Sequence, residues 1–151
     1  MSQAIFALST DKDELIQIAA DSATIDDLNG VATYQGNVII TQGTIQINAE
    51  KISLFYTQKQ DLKKVDIVGN PAKFKQRPDK SDEDLNAQAN HMEYRADENM
   101  LYLTEGAKLW QGKDSFVGEK ITYDTVRGVI KAHKGKGGRV KVTIQPRKKS
   151  K

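Results

Sequence analysis

Side chains able to do acid–base, metal or nucleophilic chemistry are few and scattered in this chain. Its 151 residues hold two histidines, His91 and His133, and no cysteine. That removes disulfides, thiolate nucleophiles and cysteine-ligated zinc together. A histidine-rich metal centre is excluded as well, and neither histidine stands beside a ready catalytic partner. Acidic groups cluster at Asp26-Asp27 and at Asp82-Glu83-Asp84, but both sit in turn-like contexts where aspartate serves the backbone geometry. The "GKGG" run at 135–138 lacks the spacing and the Ser/Thr of a phosphate loop and predicts a hairpin turn. Trp110 follows Leu109 on an expected strand and is assigned to packing, not to a sugar platform. The expectation is a protein that is not an enzyme and needs neither metal nor cofactor.

Charge is unevenly placed along the chain. From Lys131 to Lys151 there are nine Lys/Arg and no acid; the preceding 130 residues hold 14 basic and 20 acidic side chains, a net of −6. An acidic body thus carries a basic C-terminal end, which suits contact with anions or a solvated tail. No aromatic residues interleave with basic ones on a face, so a nucleic-acid partner is not expected. No run approaches the ~18 apolar residues of a membrane helix. The opening "MSQAIFALSTDKDELIQ" has neither a basic n-region nor a continuous h-region, so no signal peptide is expected in it.

The elements that must position these residues are strands. Apolar side chains recur with period two at Ile16/Ile18, Ile45/Ile47, Ile52/Leu54/Tyr56, Leu101/Leu103, Ile121/Tyr123 and Val140/Val142/Ile144, the pattern of half-covered sheet. Turn chemistry separates them at "DDLNG" (26–30), "TQG" (41–43), "ADEN" (96–99), "QGKD" (111–114) and "GKGG" (135–138). "KDELIQIAA" could hold one short helix, and the polar stretch 75–86 predicts a mobile loop. In "NVIIT" three successive apolar residues cannot all face inward, which calls for a bulge or a covered outward isoleucine. The chain also repeats itself: Glu50-Lys51-Ile52 returns as Glu119-Lys120-Ile121, and Gly36, Gly69, Gly106 and Gly135 fall at intervals of 33, 37 and 29. The division expected is a flexible segment 1–14, one domain 15–146 and a basic tail 147–151.

Several separated motifs, in order, carry a family resemblance. Ala20-Asp21-Ser22, "YQGNVIITQGTIQINAEKI", "GNPAKF" and "GEKITYD" resemble the LptA/OstA family of periplasmic lipopolysaccharide carriers, over Ile16 to Pro146. The resemblance implies an all-β, incomplete antiparallel β-jelly roll (OstA-like), open-ended and with internal repeats, whose apolar interior holds lipid A acyl chains. It implies protomers stacked head to tail as a homo-oligomer. Their partners would be an LptC-like inner-membrane protein and an LptD-like outer-membrane protein, in the periplasm. Family positions thought to line the lipid path fall on Ile16, Ile18, Phe74 and Tyr94.

The residue types suit such a task. Each methylene kept from water is worth about 0.8 kcal/mol, so a chain of about 14 carbons resists exposure with roughly 10 kcal/mol. A carrier needs a continuous apolar wall without directional contacts. The wall expected is Ile16, Ile18, Ile45, Ile47, Ile52, Leu54, Phe74, Met92, Tyr94, Leu101, Leu103, Leu109, Phe116, Ile121 and Tyr123, with room between the sheets for a guest. Assembly edges are expected at Ile16 and Ile18 and at Val140, Val142 and Ile144, where unpaired strands invite pairing with another chain. Lys134, Lys136, Arg139 and Lys141 are placed to attract lipopolysaccharide phosphates. The competing readings are an isolated LptC- or LptD-like domain and a carbohydrate-binding β-sandwich; the latter needs several exposed aromatics on one face.

Overall fold

The computed structural model describes residues 13–79 and 81–146; the expected N-terminal segment (save Asp13 and Glu14) and the expected basic tail lie outside them. Ten strands follow one another: β1 Ile16–Ala19, β2 Ser22–Asp26, β3 Val31–Gln42, β4 Ile45–Tyr56, β5 Leu62–Gln76, β6 Leu85–Arg95, β7 Met100–Gln111, β8 Asp114–Asp124, β9 Ile130–His133 and β10 Lys141–Thr143. All pairings are antiparallel, and β3 to β8 form one meander in chain order. The turn chemistry named above falls at the strand junctions, but "GKGG" is not the hairpin turn expected: it links β9 to β10, which both pair with β8 and not with each other, because the chain crosses here from one half of β8 to the other. β1 occupies the stretch that could have been helical. The loop expected over 75–86 is shorter: β5 runs through Gln76 and β6 starts at Leu85. The connection is tied by Arg77 Nε donating to Asp84 Oδ1 at 2.8 Å and by Gln111 Nε2 donating to Ser81 Oγ at 3.2 Å.

Each interior strand is bent at its middle. Pairing slips between Gln35 and Val38 on β3, Asn48 and Lys51 on β4, Val68 and Ala72 on β5, Gln88 and His91 on β6, and Thr104 and Ala107 on β7. These slips are in register with one another, so they make a single fold line across the sheet. An extra residue in one strand kinks it and sharpens its twist. The backbone at the line shows this: Gly36 and Asn37 have φ of 85° and 47°, Glu105 and Gly106 have 68° and 70°, and Asn70–Pro71 is cis. Small residues run along the line on the inner side, Ala49, Ala72, Ala89, Ala107 and Gly118, in the pairs that border the slips.

The fold line divides one sheet into two facing layers. The first layer comprises β1, residues 38–49 of β3 and β4, 72–89 of β5 and β6, 107–118 of β7 and β8, and β10. The second comprises β2, the other half of each long strand, and β9. No helix stands among the described elements, so among the described residues each layer's inner face is covered by the other layer. Both contribute to one core: Ile40, Ile45, Ile47 and Leu109 from the first, Ile52, Ile67, Met92, Leu103 and Ile121 from the second, each 1% exposed or less. The bulge in β3 settles "NVIIT" as well. Val38 and Ile40 point inward and Ile39 points out, 40% exposed. This is the all-β, open-ended jelly roll expected, built from one sheet bent over and not from two separate ones.

Candidate functional site

The fifteen expected wall residues all come together. Ile45, Ile47, Ile52, Leu54, Phe74, Met92, Tyr94, Leu101, Leu103, Leu109 and Ile121 are buried in the common core, and Ile16, Ile18, Phe116 and Tyr123 pack against it half-buried. Cross-strand register explains the convergence. Ile47 pairs with Phe74, Phe74 with Ala87, Ala87 with Leu109 and Leu109 with Phe116, one inward row across the first layer. Ile52 pairs with Ile67, Ile67 with Met92, Met92 with Leu103 and Leu103 with Ile121, the matching row of the second. Val65 and Ile67 belong to the wall and were missed, although "LKKVDIVG" carries them with period two. The inward Ala72, Ala87, Ala89 and Ala107 were missed because alanine leaves no periodic signal.

The middle of the interior is filled. Its side chains close on one another in place of the room expected between sheets, while space opens at the rim of the second layer. One cavity of about 660 Å³ is lined by Ile25 to Ala32, Tyr34, Tyr56, Thr57, Gln58 and Gln60. Beside it, one of about 730 Å³ is lined by Tyr56, Leu62, Tyr94 and Ala96 among others. Both lie within the ~300–1,000 Å³ of small-molecule sites, and their apolar and phenolic side chains stand among carboxylates and amides such as Asp26, Asp27, Gln58 and Asp61, a mix that suits an amphipathic guest. Tyr56 and Tyr94 of these linings are perturbed, as is Tyr123. Burial pushes the phenols of Tyr56, Tyr94 and Tyr123 above the ordinary 10.0; Tyr34 adds to this at Tyr56 and Asp124 at Tyr123, while a hydrogen bond with Thr125 opposes it at Tyr94.

These shifts set an alkaline limit to the fold. The folded chain holds phenolic protons that the unfolded chain gives up first as pH rises past about 10. Stability from these groups is therefore complete below that pH and is lost as pH climbs through the raised folded values. A phenolate absorbance titration is expected to show late ionisation followed by cooperative unfolding. Ionisation of these tyrosines at their ordinary pH with the fold intact would refute their burial.

The inner lining does not stop at the core. On β1, Ile16 and Ile18 pair with inward Gln42 and Ile40; on β2, Ile25 pairs with Ala32 and stays 63% exposed. At the opposite end Val142 pairs with inward Phe116 and is 52% exposed, and Ile130 pairs with Tyr123. Among the described residues β1, β2, β9 and β10 each pair on one side alone. Of the expected edge at Val140, Val142 and Ile144, only Lys141–Thr143 is strand, with exposed Val140 and Ile144 flanking it. Lys134, Lys136, Arg139 and Lys141 lie in and before this end, away from the two rim cavities.

Polar groups able to hold a metal are on the outer face. Asp66, His91 and Glu93 bring one ligand atom each to within 4.8 Å of one another. The sequence hid this because the three sit on two strands 25 residues apart in the chain. Trp110, by contrast, is half-buried on the outer face beneath Lys108, whose Nζ stands 4.8 Å from the ring centroid.

A bent antiparallel sheet whose apolar lining stays exposed at both end strands defines a class, that of open-ended β-jelly rolls. Residues 17–129 match the model of the family described as "LptA/(LptD N-terminal domain) LPS transport protein". The chain is 34% identical to the lipopolysaccharide export system protein LptH of Pseudomonas aeruginosa, over 99% of this chain and 89% of that protein. It is 36% identical to the export system protein LptA of Escherichia coli K12, over 93% and 76%. The crystal structure of the Pseudomonas aeruginosa LptH, described as the LptA-homologous periplasmic component of the lipopolysaccharide transport device, superposes with a TM-score of 0.79 at 33% identity, covering 91% of this chain and 99% of that one. The chain belongs to the LptA family.

Proposed function

We propose that this chain is a periplasmic, non-enzymatic lipopolysaccharide carrier that shelters lipid A acyl chains between its layers. It would stack head to tail between an LptC-like inner-membrane protein and an LptD-like outer-membrane protein. The observation that carries this reading is the continuity of the lining. Inward apolar side chains reach both end strands and remain exposed there, as Ile25 and Val142 do, beside backbone edges that, among the described residues, pair on one side alone. A neighbour adding its strand to such an edge would extend both the sheet and the apolar interior. The names of the relatives, all export proteins, agree in substrate.

The filled interior sets the mechanism. A guest must part the layers, which are joined by continuous backbone along the fold line and meet elsewhere through non-directional apolar contact. An acyl chain entering from the rim exchanges one set of apolar contacts for another. The cost of parting is then small beside the roughly 10 kcal/mol that holds a 14-carbon chain out of water. The tyrosine-lined rim is the place where the boundary between acyl chains and sugars would sit.

Photo-crosslinking tests this. A photoreactive amino acid at Ile18, Phe74 or Tyr94 is expected to give lipopolysaccharide adducts, whereas the outward-facing Gln17 on the same strand as Ile18 is not. Equal labelling at all four positions, or none at any, would overturn the reading. A carbohydrate-binding sandwich predicts labelling beside Trp110 instead.

A further inference from the structure

We propose a divalent transition-metal site on the outer face of the second layer, formed by Asp66, His91 and Glu93 and oriented by Thr104. It is independent of the lipid path, which lies on the opposite face of the same strands. Val65, Ile67, Met92 and Tyr94 point into the core, so the alternating Asp66, His91 and Glu93 point out. Register brings them together: Asp66 stands directly opposite Glu93, and His91 opposite Val68, one pair further along the same face. Two carboxylates directly opposed across strands are ordinarily destabilising. Here they frame an imidazole, and a cation among them would turn the repulsion into attraction.

The imidazole is aimed for this. His91 Nε2 stands 2.5 Å from Asp66 Oδ1, while Nδ1 stands 3.3 Å from Thr104 Oγ1 on the next strand, its register partner. At 2.5 Å the Nε2 proton is donated to the Asp66 carboxylate; a metal ion would take the place of that proton, with Asp66 drawing back, Nδ1–H donating to the Thr104 hydroxyl and the Nε2 lone pair facing the ion. That second contact is the usual means by which proteins fix the tautomer of a metal-binding histidine. The His91 and Asp66 side chains are 38% and 32% exposed, which leaves positions for water on the ion.

One nitrogen and two carboxylate oxygens suit Zn²⁺ and its neighbours better than Ca²⁺, which takes oxygen alone. Glu93 has a competitor, since Arg95 Nε donates to its Oε2 at 2.5 Å. The carboxylate must turn from Arg95 to close the site from the present 4.8 Å spread.

Calorimetric titration of the whole chain with Zn²⁺ is expected to show saturable one-to-one binding. His91→Gln should weaken it at least about tenfold, and Thr104→Val, which leaves every ligand in place, about tenfold. Arg95→Gln should tighten it by freeing Glu93. The chain has just two histidines, so ring resonances provide a second readout: those of His91 should move on adding Zn²⁺, and those of His133 should not. Absence of saturable binding, or binding that His91→Gln leaves intact while the variant melts like the parent, would overturn the site. If His91→Gln fails to fold, Thr104→Val and the ring resonances decide.

Discussion

Gly69→Ala is expected to destabilise the fold by about 3 kcal/mol, the scale of overpacking a filled interior, and to lower the melting temperature by roughly 6–12 °C for a chain of this size. A Cβ at Gly69 would lie 2.6 Å from the Ala72 nitrogen and 2.7 Å from its Cα. Both are backbone atoms of the same bulge, so no side chain can swing away and the kink itself has to move. Two other glycines separate this clash from backbone strain. Gly106 has φ of 70° with nothing within 4 Å of an added Cβ, so its alanine variant should lose only the ~1–2 kcal/mol of a left-handed residue with a side chain. Gly137 has open space and no such φ, and Gly137→Ala should fall within about 0.5 kcal/mol of the parent. Denaturant titration of the three variants gives the ranking. A Gly69→Ala protein as stable as Gly137→Ala would mean that the fold line is not the tight junction described.

The same positions show how much of the fold could be read from the sequence. The glycines at intervals of 33 and 37 mark the bends of β3, β5 and β7, the leading strands of three successive hairpins. The Glu-Lys-Ile repeat marks the bends of β4 and β8, where Glu50, Lys51, Glu119 and Lys120 face solvent beside inward Ile52 and Ile121. The repeat unit is thus a bent hairpin. Gly135 keeps the spacing but falls outside any strand, because the pattern of the last unit breaks up into β9 and β10. Alternation identified most of the wall, since an inward residue every second position is what a covered face requires. It marked both inward parities of β4, Ile45/Ile47 and Ile52/Leu54, without showing that they belong to one strand, and it missed the change from Ala89 to Met92 on β6. That shift comes from the bulges, which depend on pairing with a neighbour and leave little local trace.

Composition is equally silent about whether an apolar face is open or filled. The aliphatic residues that suggest a sheltered channel are those that pack well against each other, and in this structure they do so. The distinction lies in where the lining ends. In a closed sandwich the end strands turn polar on the inside, whereas here Ile16, Ile18, Ile25, Ile130 and Val142 carry the apolar face outward to both ends. Outer-face groups such as Asp66 and His91 were beyond reach for a different reason: their meeting depends on the β5–β6 register, which no local pattern encodes.

The two ends give the sharpest prediction about assembly. Ile25→Asp and Val142→Asp each place a carboxylate on an inward but solvent-exposed position, 63% and 52% exposed in the parent. The isolated protomer should therefore keep its stability within about 0.5 kcal/mol. In a head-to-tail stack the same carboxylate would face a neighbour's apolar lining without a partner. That costs about 2 kcal/mol or more, roughly a thirtyfold weaker junction. In such a stack every junction would join a β9/β10 end to a β1/β2 end, so either variant alone would have no undamaged junction and should sediment as a monomer where the parent is expected to form longer species. Mixed, the two variants regain one sound junction, between the intact β9/β10 end of Ile25→Asp and the intact β1/β2 end of Val142→Asp. The mixture should stop at a dimer, because both outer ends of that pair are spoiled. Side-by-side association, or pairing of like ends, cannot produce this complementation. A mixture no heavier than its components, or a parent that stays monomeric at every concentration, would rule out the continuous interior on which passage of an acyl chain from one protomer to the next depends.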